Sequence, residues 1–395
     1  MTSLAAYAAG DSVSLGRKYE EAAAPSYYDN EYQRDRVRII HSAAFQRLGY
    51  KTQVFLVHEG ELFRTRLAHV LEVAQISRLV ARALHLNEDL VEAIALAQDL
   101  GHTPWGHSGQ DSLNQCLKEQ GGFEHSFQSL RIVDELEEKF PRFRGLNLTF
   151  ETREGVLKHC APKQAQTLGQ LGTRFLTAGL PTPPTLEAQV THLCDEIVYQ
   201  HYDIIEGLHA RLISIRQLRE QPLFDQQYRY VTQNDSQLSQ RRTLEETLRR
   251  IMNEQLNNLI ETSRDQLEAM QPKNIHEVRH LGEPLITFSA LFFEKHLELK
   301  QFLQTHVYQH YRLRRMAFRV WQMIQRLFEA FYNDPSLLPL EAQMEVQRLQ
   351  HGLGSERGRA RAIGDYIASM TDRLALSEYE RLFNPTSSSQ SIFYF

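Results

Sequence analysis

The chain has 395 residues, of which 42% are hydrophobic and 24% charged. That is enough apolar material for a large core, and at roughly 150 residues per domain it makes two to three domain-sized units. The balance excludes a mainly disordered chain, 20 Gly and 13 Pro are too few for a collagen-like repeat, and a net charge of −5 excludes strong global attraction to nucleic acid.

The three cysteines, Cys116, Cys160 and Cys194, are odd in number and far apart. They support neither a disulfide framework nor a paired-cysteine metal knuckle. No apolar run approaches the ~20 residues of a membrane helix. The first ten residues lack the basic and apolar regions of a secretion signal. The expected location is the cytoplasm.

Residues 1–30 read as an arm with little structure of its own. From Glu31, the apolar positions Ile39, Ile40, Ala43, Ala44 and Leu48 fall at helical spacing, beside Arg34, Arg36 and Arg38. Those arginines suit phosphate, a neighbouring subunit or a solvated face equally. Leu67 to Leu84 reads as a deeply buried helix. Asn87 reads as the N-cap of another, running from Glu88 to about Asp99 with Gly101 as its end. Residues 101–109 form a Gly/Pro/His loop. Gly121-Gly122 is a further break, with a new helix after Phe123-Glu124-His125. Residues near 161–186, rich in Gly, Pro and Thr, read as a linker or insertion. Helical patterning then runs from Leu186 to about Leu382, including a long amphipathic helix from Arg242 to Met270. Tyr228 to Thr232 reads as a short strand. The expected organisation is all-α: an arm (1–30), a core (31–215), a C-terminal helical region (216–383) and a tail (384–395).

Chemistry concentrates in three places: Arg64 to His69, Gln98 to His107, and Asp195 with Tyr199 and Asp203. A His on one helix, an Asp ending the next and an Asp on a distant helix can converge inside a bundle. Imidazole and carboxylate donors together suit Mn, Fe, Zn, Ni or, with more oxygen, Mg. Each piece alone has a plain structural alternative, since a lone His on an apolar helix usually serves packing. Asp99 is harder to dismiss, because a buried unpaired carboxylate is costly.

The run Leu96-Ala-Gln-Asp99-Leu-Gly-His102-Thr-Pro-Trp-Gly-His107 resembles the signature of the HD-domain deoxynucleoside triphosphate (dNTP) triphosphohydrolases, the dGTPase-like branch. So do Arg34 to Ser42, Lys51-Thr-Gln53-Val-Phe55, Arg64-Thr-Arg66-Leu-Ala-His69, Gly121 to His125, Glu151 to Gly155, Asp195 to Tyr199 and Asp365 to Arg373. The resemblance covers residues 30 to 383 in order. It implies an HD helical core with a helical C-terminal extension. The implied reaction is metal-dependent hydrolysis of a dNTP, dGTP or several, to a deoxynucleoside and inorganic triphosphate.

By that resemblance the metal ligands are His69, Gln98, Asp99 and Asp195, and the ion is divalent, Mn or Mg before Ni, Fe or Zn. The acid/base set is His102, His107 and His125, with Glu124 orienting a neighbouring His. Substrate contacts are Arg66 on phosphate and Gln53, Tyr199 and Asp203 on the sugar. Two positions depart from the pattern. Gln98 stands where the family has His, and a neutral carbonyl is a poorer ligand for imidazole-preferring metals. Gln110, with Asp111 next to it, stands where a carboxylate often orients a catalytic His. Partners implied are the dNTP, further copies of the chain in a hexamer or tetramer, and in some relatives single-stranded DNA. The competing reading, motivated by Gln98, is a non-catalytic family member that binds dNTP or single-stranded DNA as a regulatory subunit. A different HD phosphohydrolase acting on another nucleotide is the third.

Overall fold

The computed structural model describes residues 4–21, 27–53, 64–157, 183–235 and 237–384, with the backbone of 176–177 and 180–181. The expected linker near 161–186 and the tail beyond 384 lie almost wholly outside these residues. The fold is all-α. In chain order the helices are α1 (Glu31–Ile40), α2 (Ala43–Arg47), α3 (Arg66–Ala83), α4 (Glu88–Ala97), α5 (Gly106–Cys116), α6 (His125–Arg131), α7 (Phe150–Val156), α8 (Leu186–His209) and α9 (Ile215–Leu218). They continue as α10 (Pro222–Asn234), α11 (Gln240–Met270), α12 (Ile275–His280), α13 (Ala290–Leu303), α14 (Tyr311–Asn333), α15 (Leu340–Leu353), α16 (Ser355–Ser369) and α17 (Asp372–Phe383). The one described ladder pairs Leu176–Thr177 with Leu180–Pro181. No helix of the described residues is long and apolar enough to cross a membrane.

Local chemistry explains the central elements. Thr65 caps α3 by accepting from the Ala68 N–H. Asn87 caps α4 through the N–H groups of Asp89 and Leu90, and Glu88 and Asp89 sit in the first turn where the helix dipole favours acids. Helix α4 is apolar almost all round because it is buried on every side, with seven residues from Leu90 to Ala97 inside.

The expected strand at Tyr228–Thr232 is helical instead, inside α10. Pro222 opens that helix, and Leu223, Phe224, Gln227 and Val231 bury one face at helical spacing. The 3.6-residue period therefore outweighs the strand preference of Tyr, Val and Thr. The arm is docked: Ala9 donates its N–H to Glu187 on α8, and Arg17 reaches Glu31, Asp35 and the Asn147 carbonyl. The α1 arginines are also tied within the fold. Arg36 pairs with Asp89 and Glu92, Arg34 with Glu21 and Glu31, and Arg38 with Glu21 and the Leu146 carbonyl.

Apolar packing forms two main clusters. One joins α1–α4, α7 and α8 to parts of α10, α11 and α13. The other packs Trp105, Leu113, Leu117 and Phe123 against α14, α15, α16 and α17. The loop before α5 thus has its back in the C-terminal helices. Helices α15 and α16 meet so closely that a Cβ on Gly358 would stand 2.3 Å from the Leu349 carbonyl oxygen. Gly358→Ala is expected to lower the urea midpoint by the equivalent of ~1–3 kcal/mol. Gly352→Ala, on the same helix pair but with nothing within 4 Å, should not lower it. Equal midpoints for the two variants would contradict the close crossing.

Candidate functional site

Three helices deliver the donor cluster. The first turn of α3 carries Arg66 and His69; α4 runs out at Ala97 into Gln98 and Asp99; α8 presents Asp195, Tyr199 and Asp203 four residues apart on one face. His69 Nε2 lies 3.0 Å from Asp195 Oδ1, and the Gln98 side-chain amide donates to the same oxygen at 2.9 Å. Asp99 Oδ2 accepts from Arg66 Nη1 at 3.0 Å. All five side chains are buried.

This donor set fits a divalent ion. Two ligands on adjacent corners of a shell at ~2.1 Å stand about 3 Å apart, the spacing seen from His69 and Gln98 to Asp195. A half-turn of the Gln98 amide exchanges its N–H for its carbonyl oxygen, so one imidazole, one carboxylate and one carbonyl meet at Asp195, with Asp99 on Arg66 beside them. Asp99, His102 and His125 form a second convergent group, with ligand atoms all within 4.8 Å of one another.

The three loop histidines meet beside this cluster. His102 stacks on His125 with ring centroids 4.0 Å apart, and His107 stands edge-on to His102 at 5.3 Å. Gly101 is where it is because α6 passes against it, not as a left-handed helix end: a Cβ there would come within 2.2 Å of Ser129 N and 2.3 Å of the His125 carbonyl oxygen. Trp105 and Gly106 are both left-handed, and a Cβ on Gly106 would meet Arg66 Nη2 at 2.8 Å. Burial, then the charges of Arg66 and His125, push His102 well below the usual histidine value, so it is neutral. His125 Nδ1 faces Gln110 Oε1 at 2.7 Å and Glu124 Oε1 at 2.9 Å. Two acceptors there place a proton on Nδ1. Burial opposes the Glu124 charge, but His125 and the N–H groups of Ser126 and Phe127 outweigh it and hold the carboxyl down at about 2.

A cavity of about 590 Å³ opens beside these groups, lined in part by Gln53, Trp105, His107, Tyr199, Asp203 and Tyr308. Gln53 is buried, and neither its amide N nor its O has a hydrogen-bond partner among the described residues. A buried unsatisfied amide on a cavity wall is poised for a polar ligand. Asp203 Oδ2 accepts from the Tyr308 hydroxyl at 2.7 Å. Tyr308 ends a π-helical turn, Gln304–Tyr308, that aims it back at α8. The Tyr199 ring packs on His69 at 4.4 Å.

The structure therefore brings His69, Gln98, Asp99, Asp195 and Arg66 into one buried cluster, His102, His107, His125 and Glu124 beside it, and Gln53, Tyr199 and Asp203 onto the adjoining cavity. Sequence reading did not single out Tyr308; it put Gln110 where a carboxylate often orients a catalytic His, and the His that Gln110 faces is His125. Tyr308 lies more than 100 residues from its partner, with no local signal beyond its own identity.

The HD domain family matches residues 66–199, and the phosphohydrolase-associated domain family matches residues 286–381. A deoxyguanosinetriphosphate triphosphohydrolase-like protein of Thiobacillus denitrificans is 50% identical over 381 residues, 96% of this chain and 97% of the relative. Proteins of the same description from Bordetella parapertussis and Azoarcus sp. are 50% and 47% identical, each over 96% or more of both chains. The chain belongs to the HD-domain family of deoxyguanosinetriphosphate triphosphohydrolase-like proteins.

Burial raises Asp203 from 3.8 to about 7, against the Tyr308 hydrogen bond and with Glu206 adding to the rise. The native state keeps this proton where the unfolded chain has lost it. Its contribution to stability is therefore full below about pH 4 and is lost as pH rises through about 7. A shift of ~3 units corresponds to ~4 kcal/mol. Asp203→Asn is expected to flatten the fall in melting temperature across that window. Parallel profiles for parent and variant would contradict a proton-retaining Asp203.

Proposed function

We propose that this chain hydrolyses a dNTP to a deoxynucleoside and inorganic triphosphate, by attack of water at the α-phosphorus. The observation that carries the reading is the buried cluster of His69, Asp99, Asp195 and Arg66 with His102 and His125, next to a 590 Å³ cavity that His107, Gln53, Tyr199 and Asp203 line. The relatives' names supply the substrate class.

Arg66 has no solvent exposure, and its Nη1 and Nη2 are fixed on Asp99 and the Gln53 carbonyl. It presents a pre-positioned positive charge to the α-phosphate, with no reorganisation needed at reaction. His102, held neutral, is suited to accept a proton from the attacking water. His125, with the Glu124 carboxylate behind Nδ1, is suited to carry a proton to the departing 5′-oxygen. His107 lies at the cavity mouth, where it closes on the phosphates. A divalent ion held by His69, Gln98, Asp99 and Asp195, Mn or Mg, would polarise a phosphate oxygen when bound. Gln53 and the Asp203–Tyr308 pair offer donors and acceptors to a deoxyribose hydroxyl, and a tight fit at C2′ would exclude ribonucleotides.

The Gln98 amide on Asp195 favours a second reading, a dNTP-binding subunit with weakened catalysis. One assay separates the two: triphosphate release from each dNTP with Mn or Mg, for this chain and for Gln98→His. Release by this chain is expected. Gln98→His should raise metal affinity ~10–100-fold, read by calorimetry, and His125→Asn should lower kcat ~100-fold or more. Release only by Gln98→His would establish the second reading, and release by neither would sink the first.

A further inference from the structure

All three histidines sit on backbone that the C-terminal helices hold. Lys51, buried, donates from Nζ to the His102 carbonyl at 2.5 Å and to the Ala368 carbonyl at the end of α16 at 2.8 Å. Asp372, the first residue of α17 and 3% exposed, accepts at Oδ1 from the Trp105 N–H at 2.9 Å. Its Oδ2 accepts from the Thr52 N–H at 3.0 Å and from the Thr52 hydroxyl. Asp365 on α16 takes hydrogen bonds from Gln128 and Arg131 on α6, and Arg361 donates to the Gly122 carbonyl before it. These ties reach the flanks of Gln53, His102, His107 and His125.

Asp372 has the most consequential position. Its two oxygens join the residue before Gln53 to the residue two before His107. The second of these, Trp105, is left-handed at φ 58°. A bulky residue there needs its neighbours to hold it. The helix start contributes no alternative partner, since Thr371 already caps α17 through the Leu374 N–H. Tertiary contact with Asp372 therefore sets the conformation of the Thr-Pro-Trp-Gly turn from which His107 projects.

We propose that Asp372 is a positioning residue for hydrolysis: it contacts no reacting atom, and it fixes the Trp105–Gly106 turn and the Lys51–Gln53 segment relative to each other, so that His107 and Gln53 face one substrate. This rests on the proposed function for its kinetic part only. Asparagine at 372 keeps the size of the side chain but replaces one acceptor oxygen with a donor NH2. The Thr52 and Trp105 N–H groups can only donate, so one of them is left facing the NH2, even where the Thr52 hydroxyl turns to accept.

The test compares Asp372→Asn, Thr52→Val and Thr52→Ser in a Trp321→Phe background, where Trp105 is the only tryptophan. Far-UV circular dichroism monitors folding, and two readouts are taken: triphosphate release from dNTP, and the emission maximum of Trp105, 4% exposed in the parent. Expected for Asp372→Asn are a fall in kcat of about 100-fold with a smaller change in KM, and a red-shifted Trp105 at unchanged helicity. Thr52→Val should give a weaker form of both, and Thr52→Ser, which keeps the hydroxyl, should behave as the parent. If Asp372→Asn does not fold, the contrast of Thr52→Val with Thr52→Ser decides. Unchanged emission with unchanged kcat overturns the proposal, as does a Thr52→Ser variant as impaired as Thr52→Val. If the parent releases no triphosphate, the proposed function has failed by itself, and the Trp105 emission alone supports or overturns the positioning role.

Discussion

A guanidinium with no access to water has to be surrounded by acceptors, and Arg66 is in that position. Asp99 takes a hydrogen bond from Nη1 and the Gln53 carbonyl one from Nη2, while Nε has no partner among the described residues. Removing Asp99 would leave a buried charge uncompensated, a situation worth several kcal/mol. This requirement links the start of α3 to the end of α4 and to the segment before α3, and so fixes where His69, Gln98 and His102 stand. The glycine at 106 follows from the same residue, since any side chain there would strike the Arg66 guanidinium. The loop histidines are thus placed by a charge that must be satisfied, as much as by apolar packing.

The electrostatics of the site divide its imidazoles into unlike roles. His102, fully enclosed and near Arg66, is denied a proton. His125 is only partly enclosed and carries a carboxylate and an amide oxygen behind it. Two rings stacked at 4.0 Å would repel if both were charged. The two rings thus stand in unlike surroundings, one stripped of charge by burial and one backed by a carboxylate. Two neutral amides complete the polar contacts here: Gln98 donates to Asp195, and Gln110 Oε1 faces His125 Nδ1.

Much of this was legible in the sequence where the signal is local. The Asn87 cap, apolar faces at helical spacing and the His-rich loop follow from neighbouring residues, and they locate α3, α4 and most of the cluster; the start of α5 at Gly106, inside the expected 101–109 loop, did not show. Tyr228–Thr232 misled because strand preference is weak beside the burial pattern of the whole segment. Residue 101 misled because a glycine demanded by a passing backbone looks, in sequence, like one that ends a helix. The arginines of α1 gave no hint of their acidic partners, which come from the arm and from α4. Tyr308 was invisible for the same reason: its meaning lies in an aspartate on a different helix.

The Thr52–Asp372 tie spans 320 residues of chain. Contacts across such separations close large loops and form late in folding, after the helices and their local pairs. The N-terminal helices can therefore gather their donors before the turn bearing His107 is drawn into place. A molecule in which Asp372 has not reached Thr52 holds its donor helices without the tie that spans the Trp105 turn.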